Sequence, residues 1–275
     1  MILADNIPGT HPTIQVCSNA FFCTFNYDTL ISSAIAIVLT LGLGFGVAYS
    51  LGHGKPRRLQ MVLELLLGYI RNLTGEMVSD EAAGFVIPIA ATIFIFVLLA
   101  NWLGALPLAP PVEPAAADIN LTLAMALAVI VIVQWYSIHV LGFRGYLRRF
   151  TKPFELPLVA RVLFTPLNII EEVAKPLSLA LRLFGNIFGG LVMVYLLTLA
   201  YTAFAGSSFI QTALSPVWIV LLAGWKVFDV FVIGTIQAFI FMLLTIIYFG
   251  MAREGLEEEH HGAAVRSNEL RRETT

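Results

Sequence analysis

Charge is what this sequence has least of. Of 275 residues only 12% are Asp, Glu, Lys or Arg, about half the share an ordinary soluble domain carries. The 16 basic and 18 acidic side chains leave a net charge of -2, which removes any electrostatic argument for nucleic acid or a broad polyionic surface. Cysteine is nearly absent: Cys17 and Cys23 lie together before the first apolar run, and they can form a disulfide only if that segment faces an oxidising side. The five histidines show no metal-ligand spacing, so no metal or other cofactor is expected. The chain has no Walker-type phosphate loop, no His-Glu-x-x-His and no Gly-x-Ser-x-Gly in its apolar segments, so nucleotide chemistry and intramembrane hydrolysis on this chain are not expected. A basic n-region with a cleavage site is also missing before the first apolar run, so no removable signal peptide is expected.

What is abundant is apolar sequence. Hydrophobic residues make up 58% of the chain, with mean hydropathy +0.84, and they fall into runs long enough to cross a hydrocarbon core about 30 Å thick. Five spans are predicted: 29–52, 83–106, 118–141, an arginine-bearing run from about 171 to 204, and 217–249. Residues 59–78 carry Glu64, Arg71 and Glu76 at helical spacing among apolar residues, which predicts an amphipathic helix at the cytoplasmic interface. The fold class is therefore all-α integral membrane, with the last two spans forming a long tilted hairpin. Three regions follow: an outside segment 1–28, a membrane domain 29–250 and a cytoplasmic tail 251–275. Basic clusters at Lys55-Pro-Arg57-Arg58 and at Arg144, Arg148, Arg149 and Lys152 place those ends in the cytoplasm, the N-terminus outside and the C-terminus inside. Asn72-Leu-Thr74 matches a glycosylation acceptor only in pattern, on the wrong side of the membrane. Prolines 153, 157 and 166 are expected to break 153–170, and 205–216 reads as a short polar turn.

Arg182 sits about 15 Å along the helix from Glu172, near the centre of its span. A guanidinium there costs at least about 2.5 kcal/mol, so it is expected to face a partner or an aqueous path; the plainer alternatives are snorkelling or a structural ion pair. Lys175, Ser178, Arg182, Asn186, Gly189 or Gly190, and Met193 share one stripe at three-, four- and seven-residue separations. Leu177, Leu181, Phe184 and Phe188 form a more apolar side. On the final helix Lys226, Val230, Gln237 and Phe241 share a face, from which Gln237 is expected to hydrogen-bond Arg182 or Asn186. Asp229 is open to two compatible readings, an intrahelical ion pair with Lys226 and a proton relay. Asp118 precedes a helix start, where a cap and an ion-path role both stand. A secondary transporter is disfavoured because no internal repeat is visible, and a plain membrane anchor leaves the midplane arginine unexplained.

Lys175-Pro-Leu-Ser-Leu-Ala-Leu-Arg-Leu-Phe-Gly-Asn186, with Gln237-Ala-Phe-Ile-Phe-Met-Leu-Leu-Thr-Ile-Ile-Tyr248, Ala117-Asp-Ile-Asn120 and Asn101-Trp102, closely resembles subunit a of rotary F-type ATP synthases. The resemblance implies a proton-translocating stator subunit in the cell inner or plasma membrane. Its implied partners are a ring of c subunits, b-type peripheral stalk subunits and the rest of the complex. It also implies two offset half-channels separated by Arg182, with Asn186, Gln237 and Asp118 toward the outside channel and Glu171 and Glu172 toward the cytoplasmic exit. Two positions depart from the pattern. Leu191 and Val230 occupy places where some members carry ionisable residues, and Asp229 stands eight residues before Gln237 instead of seven. Only a local helix bulge would bring Asp229 onto the relay face.

Overall fold

The computed structural model describes residues 13–15, 24–50, 58–78, 80–103, 118–151, 158–204 and 209–252. Cys17, Cys23 and the tail beyond 252 lie outside them. The helices are α1 (Tyr27–Ser50), α2 (Arg58–Met77), α3 (Asp80–Leu103), α4 (Ile119–Thr151), α5 (Leu158–Phe204) and α6 (Phe209–Val227). A π-helical turn, Phe228–Ile233, continues α6 directly into a last helix, α7, over residues 234–252. Five segments are long and apolar enough to cross a membrane: Asp28–Gly46, Ala82–Leu103, Ile119–Phe143, Pro166–Thr202 and Pro216–Ala252. The all-helical, five-span reading of the sequence is thus realised. One small addition precedes α1: a two-stranded antiparallel ladder, β1 (Thr13–Gln15) with β2 (Thr24–Asn26), which pairs Ile14 with Phe25.

The core lies where α3, α4, α5 and α7 meet. Val86, Ala90, Phe94 and Val97 repeat at three- and four-residue steps on α3, and meet Ala126, Val129 and Val133 of α4 and Phe241, Met242 and Ile246 of α7. The α5 contribution is Leu179, Leu183 and Ile187. Rings close one end of the bundle: Phe85 stacks on Tyr136 at 5.6 Å, and Phe249 meets both edge-on. On α2, Ile70 and Thr74 turn inward, as does Val78 just after its end, while Met61, Val62 and Leu65 stay exposed. Exposed leucines and isoleucines on the outer faces suit lipid, where an apolar face has no water to avoid.

Two expectations about helix ends are corrected. Residues 158–170 belong to one continuous helix that passes through Pro166 and Pro176, and α6 starts at Phe209 and passes through Pro216. A proline removes one ladder hydrogen bond and crowds the turn before it, but a helix packed among other membrane helices accommodates that locally. The expected end of the third span near 141 is met: the helical path breaks at Gly142 (φ 69°, ψ 162°), a conformation that glycine tolerates, and a second helical stretch continues from that kink to Thr151.

Candidate functional site

Along α5, the buried residues Pro176, Leu179, Ala180, Leu183 and Ile187 face the bundle, so the intervening positions face out. Ser178, Arg182, Gly185, Gly189 and Met193 are exposed, while Lys175 and Asn186 are half-buried. The helical stripe read from the sequence is therefore the outward face of α5 in this chain. Arg182 makes no ion pair or hydrogen bond among the described residues. Two polar clusters flank it along the helix, one on each side.

The first begins one turn further along α5. An open cleft of about 330 Å³ between α5 and the π-turn is lined by Gly185, Asn186, Gly189, Gly190, Met193, Trp225, Asp229 and Ile233. Asp229 is 7% exposed, and its carboxylate lies directly over Gly190. A Cβ built on Gly190 would fall 2.6 Å from the Asp229 Cγ, so position 190 admits no side chain while the carboxylate is there. Glycine is required here for close approach. The bulge that the sequence left open is present: Gly234 N–H donates to the Asp229 carbonyl, a five-residue step, and closes the π-turn. Among the described residues Asp229 forms no ion pair with Lys226; the two interact only as neighbouring charges. Asn186 Nδ2, Trp225 Nε1 and Gln237 Nε2 are buried without a protein partner. Among the described residues the expected bond from Gln237 to Arg182 or Asn186 is not made; Gln237 is 5% exposed.

The second cluster lies about two and a half turns the other way, between α5 and α4. Lys175 Nζ donates to Glu172 at 2.9 Å and pairs with Glu171 at 3.5 Å. Glu172 also accepts from Gln134 Nε2 of α4. Tyr248 of α7 is close enough to feel the charges of both Arg182 and Glu172. Sequence reasoning missed Gln134 and Tyr248. For Gln134 a signal existed: it is the one amide deep inside the third span.

Asp118 stands apart from both clusters. Its Oδ1 accepts from Asn120 N–H at 2.9 Å, capping α4, and its Oδ2 accepts from Asn26 Nδ2 at 2.6 Å and Thr29 Oγ1 at 3.0 Å. It therefore ties the start of α4 to the start of α1 and is not among the residues lining the Asp229 cleft. Trp135 and His139, stacked at 5.6 Å, sit on the exposed side of α4 away from these groups.

Among the described residues no group of three His, Cys, Asp or Glu side chains converges as a metal site. Among the described residues the arrangement instead sets Arg182, without an ion pair, on an outward face between an acid in a polar cleft and an acid in an ion-paired cluster. Residues 30–250 match the protein family described as ATP synthase A chain. The chain is 38% identical over 260 residues to ATP synthase subunit a of Acidothermus cellulolyticus, covering 92% of this chain and 86% of that relative. It is 41% identical over 250 residues to ATP synthase subunit a of Mycobacterium tuberculosis, covering 86% and 91%. For ATP synthase subunit a of Shewanella piezotolerans the figures are 35% over 246 residues, covering 85% and 89%. With a match that spans most of its length, the chain belongs to the ATP synthase A chain family.

Proposed function

We propose that this chain is the stator surface against which a ring of carboxylate-bearing subunits turns, with Arg182 dividing two proton half-channels. Membership of its family makes the chain a multi-pass, proton-translocating component of the ATP synthase membrane sector, without nucleotide chemistry of its own. The finer reading rests on one observation: Arg182 faces outward from the middle of its span, unpaired by any described acid of its own chain. A charge so placed is stabilised when a partner brings the opposite charge to it. A ring carboxylate arriving there is held ionised, because a fixed positive charge lowers its pKa. Arginine suits the role because it stays protonated where lysine need not.

The clusters on either side supply the two paths. Toward the outside, the Asp229 cleft offers a carboxylate with the unpartnered donors of Asn186 and Trp225, polar groups of the kind that hold water. We assign Asp229, Asn186 and Gln237 to this half-channel, with Asp118 near its entrance at the outer ends of α1 and α4. Toward the cytoplasm, Glu172, Glu171, Lys175 and Gln134 form the exit, and Ser178 lies on the stripe between the exit and Arg182. The clusters are offset in height and lie on different flanks of α5, so a proton must ride the ring to pass from one to the other. The N-terminus is placed outside, the tail in the cytoplasm and α2 along the cytoplasmic interface. The peripheral stalk and the ring contact the outer faces.

Replacing Arg182 by Ala tests this reading. In inverted membrane vesicles carrying the assembled complex, ATP-driven pumping and proton-driven synthesis are both expected to vanish while the subunits still co-purify. Coupled pumping at the normal rate in an assembled Arg182→Ala complex would overturn it.

A further inference from the structure

Asp229 reaches the cleft only because its helix is interrupted. In an unbroken α-helix the residue sharing a face with Gln237 is seven positions earlier, Val230. The π-turn inserts one residue between them, and the carboxylate one position before Val230 settles over Gly190. A π-turn is an isolated departure from the favoured ladder, so it persists where neighbouring groups hold it.

Two adjacent residues at the end of α3 touch this turn. Asn101 Nδ2 donates to the carbonyl of Gly234 at 3.1 Å across a buried interface. Gly234 is the residue whose N–H closes the turn. A Cβ on Gly234 would stand 3.1 Å from the Asn101 Cβ, so the absence of a side chain lets α3 come this close. The ring of Trp102 meets Phe231, inside the turn, edge-on at 5.3 Å. Asn101 is 2% exposed, and a buried amide in an apolar span is costly without a partner. Its single bond goes to the one helix whose register decides where the acid stands.

We propose that Asn101, with Trp102 beside it, is a positioning residue: it clamps the π-turn Phe228–Ile233 and thereby sets the register that seats Asp229 over Gly190. This rests on the reading of Asp229 as the relay acid of the outer half-channel. Asn101 itself does not carry the proton, and its effect passes entirely through the position of Asp229.

Proton conduction in vesicles carrying the assembled complex, with co-purification of the subunits as the assembly control, separates the two ideas. Asn101→Leu lowers conduction at least about fivefold, the order of shift that loss of one buried hydrogen bond gives a two-state element. Moving the acid one place, with Asp229→Val and Val230→Asp together, suits an unbroken helix. That exchange lowers conduction when Asn101 is present and raises it when combined with Asn101→Leu. Gly234→Ala disrupts the same contact from the other helix and gives the same rescue, which keeps the test intact if Asn101→Leu does not assemble. A purely structural asparagine would show no rescue by the shifted acid, and that result, or normal conduction in Asn101→Leu, overturns the clamp. Normal conduction in Asp229→Asn overturns the relay reading and the clamp with it; loss in Asp229→Asn beside normal conduction in Asn101→Leu overturns the clamp alone.

Discussion

The two polar clusters beside Arg182 differ in how their groups are satisfied. On the Asp229 side the cleft-lining donors of Asn186 and Trp225 have no protein partner, and the acid rests against a glycine in an open cleft. On the Glu172 side the acid is held by Lys175 and Gln134 at once. Unsatisfied buried donors stabilise a water file, whereas an ion-paired carboxylate is a site with a defined resting charge. Along α5 one flank thus adjoins unpartnered donors and the other an ion-paired acid, with Arg182, which has no ion pair among the described residues, between them. The contrast suits a device that must load protons on one side and let them go on the other.

The largest expected effect comes from filling the wet side. Gly190→Leu places a side chain where the Asp229 carboxylate lies, and proton conduction in vesicles is expected to fall more than about tenfold, a barrier increase of only about 1.4 kcal/mol. Conduction at the normal rate would separate the cleft from the proton path. Next is the paired side: Glu172→Gln leaves Lys175 with only the more exposed Glu171, and ATP-driven pumping is expected to slow about three- to tenfold, near the cost of unpairing one partly buried charge. An unchanged rate would make the second cluster purely structural.

Asp118→Asn tests whether the outer entrance and the α4 cap are the same thing. The substitution keeps the shape but replaces an acceptor-only oxygen by a donor facing Asn26 or Thr29. Thermal stability of the complex is expected to drop by the equivalent of about 1 kcal/mol, with conduction reduced less than twofold. A large loss of conduction without loss of stability would move Asp118 from the helix cap into the path. The smallest effect belongs to Glu171→Gln. Its side chain is 65% exposed at 3.5 Å from Lys175, and such pairs contribute well under about 1 kcal/mol, so pumping is expected to stay near normal. A loss as large as that of Glu172→Gln would erase the distinction between the two acids.

Much of this architecture is written in local pattern. The five spans follow from apolar length, and the outward stripe through Ser178, Arg182 and Gly189 follows from 3.6-residue periodicity, which survives because α5 is helical throughout. Proline is a poor stop signal here: the helices pass through Pro166 and Pro216, since proline breaks helices in water more readily than among packed membrane helices. The π-turn could be named from the sequence only as a need, because one extra residue in a ladder has no compositional mark. The groups that pack against it come from residues more than a hundred positions away, Asn101 and Trp102. The seat of Asp229 over Gly190 and the bond from Gln134 to Glu172 are tertiary for the same reason. The sequence shows both acids; only packing shows which one sits in a cleft and which one is paired.

A structure of the assembled complex, with the ring in place and ordered water resolved, tests the central claim most directly. The account requires the Arg182 guanidinium opposite a ring carboxylate, with water reaching the ring through the Asp229 cleft on one side and past Glu172 on the other, and no continuous file joining the two. Arg182 facing lipid, or one unbroken water file running past it, would contradict the account.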